Sequence, residues 1–166
     1  MKTELYKSIK AIDIRNLIED DKEELLRIFM VTKNTLIRNH IAIVFADLHY
    51  DKAVPYIIKK INEKSTFNNN GTLVYSLGDF DLKKYFIPLI KIISEQEYEA
   101  RLTAYGIVQD LAPSIPVTIK RKALKILEER RLELEHTATD KGENSSLHFV
   151  EQTEKMLLKH LTLTPS

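Results

Sequence analysis

The chain has 166 residues, 43% of them hydrophobic, and its 25 basic and 24 acidic side chains leave a formal net charge of +1. A chain of that length supports a continuous core, while the balanced charge supplies no field to draw it onto DNA or an anionic membrane. Cysteine is absent, which excludes a disulfide framework and a thiolate metal site and fits a reducing compartment.

No apolar run approaches the roughly 18 residues of a membrane span, and the first residues lack the apolar core of a signal peptide. The expected location is the cytoplasm.

Leu5, Ile9, Ile12, Leu17 and Ile18 recur at helical spacing, which predicts a first amphipathic helix over residues 4–18. Asp20 or Asp21 is expected to cap a second helix with Leu25, Leu26, Phe29 and Met30 on its buried face. Asn34 or Thr35 caps a third, running to about Leu48. Asp51 begins a fourth, with Pro55 in the first turn, where a missing N–H does little harm. A polar loop, Asn62 to Asn70, precedes a short helix from Gly71 to Gly78. Further helices are predicted over Asp81 to Glu95, Glu97 to Leu111, Pro116 to Glu135 and Ser146 to Leu161.

Within this succession a pattern recurs about every 31 to 33 residues. Arg38, Asn70 and Arg101 each stand nine residues before Asp47, Asp79 and Asp110. Ile41, Leu73 and Ala104 align, as do Phe45, Leu77 and Val108 one helical turn later. Pro55 and Pro88 hold equivalent places in the apolar segments between. A period of that size predicts stacked helix pairs, each burying its apolar face against its neighbours. The expected fold is all-α, with about nine helices and the end elements acting as caps. Residues 1–136 form the repeat domain, 137–146 a linker, and 147–166 a C-terminal helix that serves as a cap or a mobile tail.

Pro in the first helix of a pair, and Arg near the start of the second in LIRNHIA (Leu36 to Ala42) and EARLTA (Glu99 to Ala104), resemble HEAT repeats over about Asp21 to Glu129. The segment Gly71 to Ile90 is similar to small stand-alone bacterial HEAT-like proteins. The resemblance implies a right-handed α-solenoid of antiparallel helix pairs. It also implies an armadillo-like scaffold that binds another protein on its concave face, and a role as an immunity or adaptor protein covering a toxin domain.

Chemistry finds little footing. His40, His49, His136, His148 and His160 form no metal-binding spacing. The glycines never cluster as a phosphate loop requires. No catalytic residue, cofactor or metal is therefore expected. Arg38 and Arg101 have two readings, as rungs that reach an acidic or carbonyl group in the next repeat, or, together with Asn70, as a row along the inner face. On the second reading Arg38, Asn39, Thr72, Tyr75, Arg101, Tyr105 and Gln109 form a partner-binding patch. Gly71 and Gly106, both on second helices, suggest close approach by a neighbour or a ligand. The alternative function is a DNA-glycosylase-like solenoid that binds nucleic acid, for which Lys120, Arg121, Lys122 and Lys125 are the available cations.

Overall fold

The structure, a computed structural model, describes residues 7–11, 13–137 and 142–162. Among these residues the chain is helical, with no strand. Residues 7–10 form the described part of α1. There follow α2 (Glu19–Val31), α3 (Thr35–Asp47), α4 (Val54–Ile61), α5 (Gly71–Tyr75), α6 (Phe86–Glu95), α7 (Tyr98–Leu111), α8 (Val117–Thr137) and α9 (Ser146–Thr162).

Local chemistry accounts for most of these boundaries. Asn34 caps α3, its Oδ1 accepting from the N–H groups of Leu36 at 3.0 Å and Ile37 at 3.2 Å. These are two of the donors that a helix start leaves without partners. Pro55 sits in the first turn of α4, behind the 3-10 turn Asp51–Ala53.

Two expected boundaries are corrected. The first helix does not continue to residue 18: a turn follows residue 10, and Asp13 accepts from the Arg15 N–H to open the separate 3-10 turn Ile14–Asn16. Residues 1–6 and 12, which belong to that expectation, lie outside the described residues. The second helix begins before Asp20, at Glu19, and Asp21 reaches back to accept the Ile18 N–H at 3.1 Å.

The chain divides into two compact units, Met1–Phe80 and Asp81–Ser166. In the first unit, α2 packs on α3, α4 on α5, and α3 on α5. Phe29 and Phe45, both fully buried, meet edge-to-face with ring centroids 6.1 Å apart. In the second unit, α6 packs on α7 and α8 on α9, while α6 touches α8 and α7 touches α9. Each unit is thus two helix pairs laid against each other. The division falls between Phe80 and Asp81; of the expected linker 137–146, residues 138–141 lie outside the described residues. α9 docks within the second unit, burying Leu147, Phe149, Val150 and Leu157, and Arg131 of α8 pairs with Glu154 at 3.0 Å.

The aligned apolar positions are all core. Ile41, Leu73, Ala104, Phe45, Leu77 and Val108 are each 0% exposed. Gly106 departs from expectation: a Cβ built there meets nothing within 4 Å, so nothing approaches it closely. Gly106→Ala is therefore expected to raise stability by about 0.5–1 kcal/mol through helix propensity. Asn34→Ala is expected to cost about 1 kcal/mol, and Asn34→Gly only a few tenths. Denaturant titration of the three variants checks both effects.

Candidate interaction surface

Arg38, Asn70 and Arg101 share a burial class and a kind of acceptor. They are 4%, 0% and 7% exposed, and each donates to a backbone carbonyl. Arg38, the fourth residue of α3, reaches the Asn69 carbonyl in the loop before α5, and also bonds Asn39 Oδ1 at 2.9 and 3.0 Å. Asn70 Nδ2 donates to the Ile61 carbonyl at the end of α4, 3.0 Å away. Arg101, the fourth residue of α7, donates to the Gln96 carbonyl at 2.6 Å, to the Asn144 carbonyl at 3.1 Å and to Ser146 Oγ at 2.6 Å. Its guanidinium also lies 5.7 Å from the Phe149 ring centroid.

The arginines are therefore buried rungs within the fold, the first of the two readings open to them. Their backbone acceptors are the carbonyls of Asn69, Gln96 and Asn144. Asp47, Asp79 and Asp110, the aligned aspartates, are all exposed. Burial pulls the Arg101 guanidinium below its ordinary pKa, against the opposing charge of Glu97.

A second set of ties has the same logic on the first helices. Lys60 Nζ donates to the Met30 carbonyl, the penultimate one of α2, at 2.9 Å. Arg130 Nε donates to the Ser94 carbonyl, the penultimate one of α6, at 3.0 Å. Each cation meets the negative end of a helix dipole and fills a carbonyl that has no intrahelical donor.

The remainder of the expected patch is divided between the units. Tyr75, 69% exposed, stands in the first with half-buried Thr72 and Asn39. Exposed Gln109 and half-buried Tyr105 stand in the second, where the Tyr105 ring packs edge-on to Phe149 with centroids 5.8 Å apart. Tyr105 is thus committed to holding α9, whereas Tyr75 and Gln109 are the exposed members of the set.

A concave surface lies elsewhere, on first helices. A groove of about 520 Å³ runs between α2 and the start of α4, floored by Leu26, Met30, Tyr50, Pro55 and Tyr56, with Glu23, Arg27 and Lys52 also lining it. Met30 and Tyr56 are 41% and 36% exposed. The sequence assigns Leu26 and Met30 to the buried face, but only Leu25 and Phe29 are buried there. Adjacent apolar pairs at both turns make an arc wider than one neighbour covers, and that excess width is the readable signal of the groove.

One wall of the groove is set electrostatically. Lys52 donates to Glu19 at 2.6 Å, and Tyr50 Oη donates to the same carboxylate at 3.3 Å. The bond from Lys52 holds Glu19 below its usual carboxylate range, and the same contact raises Lys52. Desolvation chiefly pushes the Tyr50 phenol up.

No group of three or more His, Asp or Glu side chains able to hold a metal occurs among the described residues. Nor is any described helix long and apolar enough to cross a membrane. The basic run on α8 is broken up: Lys120 is 2% exposed, and Lys125 sits 3.9 Å from Glu129. Comparison with protein-family models, curated proteins and solved structures finds no match.

Arg101→Ala is expected to cost about 2–3 kcal/mol by leaving buried acceptors without their donor, whereas Tyr75→Ala stays within about 0.5 kcal/mol. Equilibrium unfolding of both variants distinguishes a rung from a surface residue. For Glu19 the lowered pKa means that its stabilising pairing is present above the ordinary carboxylate range and is lost as pH falls through the depressed value. Lys52→Gln should move the Glu19 midpoint upward, as read by NMR titration of the side-chain carboxyl.

Proposed function

We propose that the chain is a non-enzymatic, HEAT-like α-solenoid that binds another protein, and that the α2/α4 groove is where it does so. The groove carries this reading. It presents Tyr56, Met30 and Arg27 on one concave surface, with buried Tyr50 behind them, residue types enriched where protein partners gain most of their binding energy. Tyr56 and Met30 present apolar area that no described element covers. Support for stacked repeats comes from the two units, where the pairing of helices and the cation-to-carbonyl ties recur. The immunity or adaptor role, with a toxin domain as partner, is the narrower form of the proposal and rests on the resemblance to bacterial HEAT-like proteins. The nucleic-acid alternative draws less support, because Lys120 is buried and Lys125 is paired with Glu129.

The test is affinity capture from cell extract with the full chain and three folded variants, Tyr56→Ala, Arg27→Glu and, in the second unit, Tyr98→Ala. A stoichiometric partner should bind the parent chain and Tyr98→Ala alike, and lose about 30-fold in affinity with Tyr56→Ala. Equal capture by all four chains, or no stoichiometric protein partner at all, overturns the proposal.

A further inference from the structure

Beside the groove, and sharing Met30 with it, lies a second and more polar cavity of about 530 Å³. Its walls are the α2–α3 turn, the first turn of α3, the end of α4 and the 3-10 turn Lys64–Thr66. Three cations line it, Lys33, Arg38 and Lys60, against one carboxylate, Glu63. Thr35 and Ser65 add hydroxyl groups.

Two of these cations are placed by the fold itself. Arg38 and Lys60 are 4% and 7% exposed, so both charges are largely removed from bulk water. Such burial is costly unless anions or well-placed oxygens compensate it. Lys60 gives one N–H to the Met30 carbonyl and one to Glu63 Oε2 at 3.0 Å. An ammonium carries three donors, so one remains to be directed at a guest. Arg38 donates to Asn39 Oδ1 and to the Asn69 carbonyl, which fix its guanidinium at the cavity wall. Lys33 is exposed at the rim, where a long flexible cation can close over an occupant.

We infer that this cavity binds the dianionic phosphate group of a small phosphate ester. Three cationic side chains against one carboxylate suit the lining to a multiply charged anion, and the hydroxyl groups supply neutral donors to phosphate oxygens. The volume falls in the range of small-molecule sites and exceeds what a bare phosphate fills, which leaves room for an organic portion against Met30 and Val31. The inference is independent of the protein-binding groove: a Tyr56→Ala chain that has lost its partner retains this site.

Isothermal titration of the full chain at low salt, with inorganic phosphate and with glycerol 3-phosphate as probes and chloride as the control anion, tests it. Saturable one-to-one binding is expected for both phosphates, tighter for the ester. Lys33→Glu changes an exposed side chain, leaves the fold intact, and should weaken binding about tenfold. Lys60→Met should abolish it, with circular dichroism checking that this buried variant still folds. Absence of saturable phosphate binding, or undiminished affinity in Lys33→Glu, overturns the site. Binding of inorganic phosphate without any gain from the ester overturns the ester assignment.

Discussion

The last carbonyls of a helix have no intrahelical donor, and in this chain a cation from the neighbouring pair fills that gap. Lys60 does so for α2 and Arg130 for α6. Arg38 and Arg101 act similarly on second helices, gripping the loop that leads to α5 and the turn that leads to α9. Apolar burial supplies most of the driving force for packing helix on helix, but it is non-directional and permits sliding. A buried guanidinium that must find its carbonyl does not. These contacts select one register from the many that a greasy interface would tolerate.

The same contacts explain why the expected binding patch and the observed groove differ. An arginine near the start of a second helix reads equally well as an exposed anchor or an internal rung, because its acceptor belongs to the backbone and leaves no residue signature. The aspartates nine positions later are exposed, so their recurrence beside the arginines reflects a shared solvent-facing position rather than ion pairing. With the arginines absorbed into the interior, the exposed large apolar and aromatic side chains include Tyr75, Tyr98 and, along the groove, Met30 and Tyr56.

Much of the helical framework was legible in the residues. Asn34 announced the start of α3, Pro55 that of α4, and the aligned positions from Ile41 to Val108 proved to be fully buried. Leu17 and Ile18 continue the apolar spacing of the first helix, but Asp13 captures the Arg15 N–H and diverts the chain before them. The groove was hidden for a different reason. Periodicity identifies an apolar face but not how much of it a neighbour covers, and Met30 lies just past the limit of that coverage. The polar cavity was illegible for a third reason, since Lys33, Arg38, Lys60 and Glu63 are gathered from separate segments only when α4 folds back on the α2–α3 turn.

Every residue type, proline included, carries a main-chain oxygen. The loops that receive Arg38 and Arg101 can therefore exchange side chains freely without disturbing the grip, provided that their length and path are kept. The giving positions have no such latitude, because few side chains combine that reach with a permanent charge. Drift over generations would then erase likeness in the turns faster than in the donors, leaving copies whose kinship shows in a handful of basic residues and apolar columns while the stretches between them look unrelated.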